Sequence, residues 1–209
     1  LVVRCFGWRV FWKALTAGRQ TTFLSILGEA GTLPPASAAA APLVARCIQL
    51  ELRAMRIYQS LAPKFAQPEA QEFFATLAGH EKTHAELLDL CQHACRGVWQ
   101  GKYAARWQEA LLRLEREMRE AEAKMHSVRS LSDALWLTLE IESSEVNHVF
   151  QQVVAASDSP FVRTIKTFSR AILDHLTYVS QGIPRFEPDL REACARMLTR
   201  YGGLGAAAP

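Results

Sequence analysis

Hydrophobic residues recur at three- and four-residue spacing through most of the chain after residue 42, and this pattern predicts four strong helices. The first spans about 43–62, with Val44, Cys47, Ile48, Met55, Tyr58 and Leu61 on one stripe. Pro63 and Pro68 bracket a short loop. The second spans about 69–95, with Phe73, Phe74, Leu77, Leu88, Cys91 and Cys95. Gly97 and Gly101 interrupt the pattern, and a helix rich in Glu, Arg, Leu and Ala follows from Tyr103 to about Met125. The third strong helix spans about 131–155, on Leu131, Leu135, Thr138, Val149 and Val153. Asp158 or Ser159 can cap the fourth, with Pro160 at its first position. It spans about 161–181 on Phe161, Ile165, Phe168, Ile172 and Val179, and Gly182-Ile-Pro184 is expected to end it. A short helix over about 187–201 is expected to dock on the outside.

The order is hairpin, long connection, hairpin. No segment carries a period-two strand pattern, so the expected class is all-α. A single long crossover joining two helix pairs is the connectivity of a ferritin-like four-helix bundle, here with a helical crossover between the second and third bundle helices and a short C-terminal helix. The expected organisation is a leader or disordered segment over 1–42, the bundle domain over 43–201, and a flexible tail over 202–209.

Each apolar stripe is interrupted by polar residues near the middle of its helix. Glu51 falls between Cys47 and Tyr58, and Glu81 and His84 between Leu77 and Leu88. Glu142 falls between Thr138 and Val149, with Glu145 at the edge of that face. His175 and Tyr178 fall between Phe168 and Val179, beside Asp174. In an antiparallel bundle these positions meet at similar depth. A buried unpaired carboxylate costs several kcal/mol, roughly, and converging carboxylates also repel one another. A cation, a basic partner or protonation can relieve them. No Lys or Arg lies on these faces, which favours a metal. Glu81 and His84 are three residues apart and share a helix face, so both can reach one ion. Carboxylate with imidazole suits iron or manganese, with zinc as an alternative.

Composition narrows the function classes. The chain has 209 residues, of which 49% are hydrophobic, and a formal net charge of +3, which argues against a nucleic-acid partner. No apolar run is long enough for a membrane span. Five scattered cysteines make a poor disulfide framework and fit a reducing, cytoplasmic setting. Cys91 and Cys95 share a face with His93 opposite, which argues against a joint metal site. Trp99, Trp107 and Trp136 read as packing residues. No nucleophile triad, phosphate loop or dinucleotide fingerprint is present.

The segment Glu51-Leu-Arg-Ala-Met-Arg-Ile-Tyr58 resembles the first helix of the rubrerythrin branch of the ferritin-like superfamily, in which a ligand glutamate precedes a tyrosine by seven residues. Phe74-Ala-Thr-Leu-Ala-Gly-His-Glu81-Lys-Thr-His84 resembles the second helix, and Leu139-Glu-Ile-Glu142 the third. The resemblance covers about 43–95 and 131–181. It implies Glu51, Glu81, His84 and Glu142 as ligands, with Glu142 bridging. The fourth helix departs from the family, which has a second Glu-x-x-His there. Aligning Phe168 with Phe74 puts His175 and Tyr178 at those places, a His-x-x-Tyr half-site. Glu145-Val-Asn-His148 offers a substitute, but His148 falls off the core face. The resemblance implies two iron ions reacting with peroxide or oxygen. The family's rubredoxin-like domain is lacking, so the electron donor would be a separate protein, and the bundle a possible homodimer. The alternative is a mononuclear metal-binding protein, or a catalytically inactive helical-bundle scaffold.

Overall fold

A computed structural model describes residues 41–94, 103–144 and 167–202. Expectations for the leader up to residue 40, Cys95, Trp99, Glu145, His148, the Asp158–Pro160 helix start and the tail beyond Gly202 lie outside the described residues. So do those for the side chains of Cys91, His93, Trp107 and Phe168.

The described residues form six α-helices and two short 3-10 turns, with no strand among them: α1 Ala41–Leu61, α2 Pro68–Ala94, α3 Tyr103–Ser127, α4 Leu131–Glu142, α5 Thr167–Phe186 and α6 Arg191–Gly202. No described helix is long and apolar enough to cross a membrane. Val44, Cys47, Leu50, Ala54, Ile57, Tyr58 and Leu61 form the buried face of α1. Ile48 and Met55, predicted on this stripe, sit half-buried at its edge. The 3-10 turn Ala62–Lys64 and the bond from Gln71 Nε2 to the Phe65 carbonyl (2.7 Å) close the corner into α2, where Pro68 takes the first position. Phe65 packs on Phe74 and Glu51 faces His84, so α1 and α2 run antiparallel.

Helix α3 buries Leu111, Leu114, Met118, Ala121 and Met125 at alternating three- and four-residue spacing. It packs mainly on α1. Arg46 pairs with Glu115 (2.6 Å) and Arg53 with Glu122 (2.9 Å), seven residues later on both helices, so α1 and α3 run parallel. Helix α4 turns back from α3 through a reciprocal N-terminal cap: Asp133 N–H donates to Ser130 Oγ (3.1 Å), and Ser130 N–H to Asp133 Oδ2 (2.9 Å).

Three local expectations need correction. Trp136 does not pack in the core; 56% of it is exposed, because the buried side of α4 is filled by Ala134, Leu135, Leu137, Thr138, Leu139 and Ile141. The third bundle helix does not run unbroken past Glu142. Ser143 N–H bonds the Leu139 carbonyl and Ser144 N–H the Ile141 carbonyl, a tightened turn at two serines that favour helix ends over interiors. Gly182-Ile-Pro184 does not end α5, which continues to Phe186, with Glu187 N–H bonding the Ile183 carbonyl (3.0 Å). Gly182 serves close packing instead. A Cβ there would lie 2.4 Å from Phe73 Cε2. Ile183 is buried and Phe186 packs against Phe73, so tertiary contact carries the helix through its proline.

Phe73 meets Gly182 and Phe186, while His84 meets His175, so α2 and α5 are antiparallel. Taken with the turn between α3 and α4, α1 and α5 point one way and α2 and α4 the other. After the 3-10 turn Pro188–Leu190, α6 packs mainly on α5 through a buried side of Leu190, Cys194 and Met197.

Candidate metal centre

The polar interruptions of α1, α2, α4 and α5 converge. Glu51, Glu81, His84, Glu142 and His175 are each at most 4% exposed. Their ligand atoms fall into two groups among the described residues: Glu51, Glu81 and His84; and Glu81, Glu142 and His175. Within each group the three atoms lie within 4.8 Å of one another, close enough for one ion to bind all three. Helical geometry produces this. Glu81 and His84 sit almost one turn apart on α2 and point the same way, while α1 and α5 each contribute one residue at mid-helix and α4 contributes Glu142 at its C-terminal end.

Glu81 belongs to both groups. Its Oε2 lies 3.4 Å from His84 Nδ1, which is also 3.7 Å from Glu51 Oε2. Its Oε1 lies 3.4 Å from His175 Nε2, which is 2.7 Å from Glu142 Oε2. The two oxygens of one carboxylate thus face two different imidazoles. The shared residue is Glu81, where the resemblance implied Glu142 as the bridge.

The groups differ in how their polar atoms are satisfied. Glu142 accepts from Tyr58 Oη (2.5 Å) through Oε1 and pairs with His175 through Oε2. Glu51 Oε2 is buried with no hydrogen-bond partner. An unsatisfied buried carboxylate oxygen is costly. An oxygen-seeking cation relieves it, which is the observation on which the donor set fits a metal. One turn away along the helices, Leu77, Leu88, Thr138 and Val179 are fully buried and form a largely apolar collar.

Burial pushes the Glu81 carboxyl well above the usual range, His175 pulls it back, and Glu142 and Glu51 push it up again. Burial opposes the charged form of His175, but Glu142 and Glu81 outweigh it and raise the imidazole. Burial, with the neighbouring carboxylates, holds the Tyr58 phenol well above its ordinary value, so Tyr58 remains a proton donor to Glu142.

Tyr178 stacks on Phe73 (centroids 5.6 Å apart) and meets His80 edge-on (5.3 Å). Those rings are its described contacts. Asp174 is exposed. Tyr58 and His80 both belong to the site without having been read as site residues. Tyr58 was visible only through its spacing from Glu51. His80 Nδ1 lies 3.1 Å from His175 Nδ1. Burial and the nearby His175 and His84 lower His80 to about 4. A signal for His80 exists in the spelling His80-Glu81-Lys82-Thr83-His84, the H-E-x-x-H of zinc-dependent proteases, in which both histidines ligate and the glutamate stays free as a base. The geometry here is the reverse: Glu81 belongs to both groups and His80 to neither.

Comparison with known proteins assigns no family: no protein-family model matches the sequence, and no curated protein or solved structure does.

Proposed function

We propose that this chain is a di-metal carboxylate protein of the ferritin-like type, rubrerythrin-like in chemistry, that holds two ions on either side of Glu81. The observation that carries the reading is the pair of buried three-ligand groups sharing one carboxylate. A Glu from each of two helices and a Glu-x-x-His from each of the other two is the ligand plan of ferritin-like di-iron bundles. Here Glu51 and Glu142 supply the first part and Glu81 with His84 one of the two Glu-x-x-His motifs, while α5 has His175 and Tyr178 in place of the other. The helix directions, with one long connection between two pairs, agree with such a bundle.

The first ion would be held by Glu51, His84 and Glu81, the second by Glu142, His175 and Glu81. Iron is the metal favoured by the mixed carboxylate and imidazole donors, with manganese and zinc next. A reduced iron pair would supply two electrons to a peroxide or oxygen oxidant, replenished by a separate electron-donor protein. The chain's own part is positional. Glu81 fixes the separation of the two sites. Tyr58 holds Glu142 by its outer oxygen and keeps its proton there. The apolar collar excludes water, which strengthens the electrostatics inside it.

A second reading has its own support. Glu142 is satisfied by Tyr58 and His175 without any ion, so a mononuclear protein using only Glu51, Glu81 and His84 is the alternative. Metal content after anaerobic reconstitution with ferrous iron separates the two. Two irons per chain, with ferrous iron oxidised on adding peroxide, is the expected result. One iron supports the mononuclear protein. None, in a folded helical chain, overturns metal binding and leaves a scaffold.

A further inference from the structure

We infer that His80 is a positioning residue for the second metal site: through its Nδ1 it orients His175 so that Nε2 faces Glu81 and Glu142. The inference rests on the di-metal reading of the cluster. His175 is 1% exposed and both its ring nitrogens are engaged, Nε2 with Glu142 (2.7 Å) and Nδ1 with His80 Nδ1 (3.1 Å). The rings of His80 and His175 meet at 72°, centroids 5.3 Å apart, so His80 holds the imidazole by its edge as well as by its nitrogen.

The chemistry fixes the tautomers. A histidine that ligates through Nε2 has given up that proton and carries its remaining one on Nδ1. Ligating histidines almost always give this second N–H to a fixed acceptor, commonly a carboxylate or a backbone carbonyl, which sets ring orientation. The atom facing His175 Nδ1 is His80 Nδ1. It accepts that hydrogen only with its own proton on Nε2. His80 would thus be an uncharged acceptor for His175. The other imidazole, His84, presents Nδ1 rather than Nε2 to Glu51 and Glu81. The hydrogen bond of His80 is to His175, so its positioning effect falls on the second site.

Cobalt(II) titration of the full chain, followed by visible absorption, tests this. His80→Phe keeps a ring against His175 and Tyr178 but removes the nitrogen. His80→Asn keeps a short acceptor in the place of Nδ1. The wild-type chain is expected to bind two equivalents. In His80→Phe the second should weaken by roughly 10–100-fold, the range for losing an outer partner of a ligand, with the first unchanged. His80→Asn should recover most of that loss. Two equivalents at wild-type affinity in His80→Phe would overturn the inference and leave the di-metal reading standing. So would equal weakening of both equivalents, or no recovery in His80→Asn. Fewer than two equivalents in the wild-type chain would sink the di-metal reading itself, and this inference with it.

Discussion

The two halves of the buried cluster share Glu81 and otherwise differ in kind. The half on α1 and α2 brings Glu51 and His84 to Glu81 and leaves Glu51 Oε2 without a hydrogen-bond partner. The half on α4 and α5 is closed on itself: Tyr58 donates to Glu142, Glu142 pairs with His175, and His175 meets His80. One half holds a buried oxygen that no described group hydrogen-bonds; the other is already a satisfied polar network. Buried networks of the second kind rigidify a core without metal. An ion entering that half must compete with hydrogen bonds already formed. The first half should therefore fill at lower metal concentration than the second.

The largest effect should come from removing what the halves share. Glu81→Gln removes the carboxylate that faces both imidazoles and would carry charge to the ions. Both metal equivalents should weaken by more than the roughly 10–100-fold typical of an outer-shell partner. The metal-free protein should keep its stability. Burial and the flanking carboxylates already favour the protonated form of Glu81, and a neutral amide has nearly the same shape. Equilibrium titration and chemical denaturation on the same variant check both statements. Loss of one equivalent alone would mean that Glu81 serves a single ion.

The positions behind this prediction were legible in the sequence to different degrees. Glu51, Glu81, His84, Glu142 and His175 were found because each interrupts an apolar stripe at mid-helix, and helical periodicity alone fixes which face that is. Which carboxylate is shared was not legible. It depends on how α2 is rotated between its two neighbours, a matter of side-chain packing across helices rather than of spacing within one. His80 escaped because it lies beside the stripe, at the position before Glu81, and its role appears only once α5 is laid against α2. The helix ends were misread for a related reason. Gly182 and Pro184 are helix-stopping residues by local propensity, yet the contacts of Gly182 and Phe186 with Phe73 hold α5 together through them. Trp136 was read as a packing residue, although the α4 positions around it were apolar enough to fill the buried side without it.

A smaller and sharper contrast comes from neutralising one terminal carboxylate in each half and measuring the metal-free protein. Glu142→Gln disturbs the acceptor of both Tyr58 and His175, and a strained or lost bond to a buried donor costs about 1–3 kcal/mol. Glu51→Gln replaces a carboxylate whose Oε2 makes no hydrogen bond and only a 3.7 Å contact with His84, so stability should fall little. Urea unfolding of the two variants side by side should rank Glu142→Gln below wild type and Glu51→Gln close to it. Equal losses would remove the asymmetry between the halves.

The smallest effect should lie outside the cluster, where α3 straps α1. Arg46 and Glu115 bond at 2.6 Å, with side chains about a quarter exposed (26% and 23%). The hydrogen bond from Arg46, against a smaller opposing effect of burial, holds the Glu115 carboxyl below the usual range, and the charges of Arg46, Arg119 and Arg53 add to it. A partly exposed pair of this kind contributes little, on the order of 1 kcal/mol or less. Because the folded-state value is depressed, that contribution is fully present above the ordinary carboxylate pKa and is lost as pH falls through the depressed one. Arg46→Ala should therefore be slightly less stable than wild type at neutral pH, and the gap should close in acid. Metal titration should be unchanged in both halves, because Glu51 is held among the buried residues of α1 rather than by the strap. If Arg46→Ala weakened the first equivalent and spared the second, the open half would owe its geometry to α3, and the contrast between the two halves would reach beyond the cluster into the packing of the crossover helix.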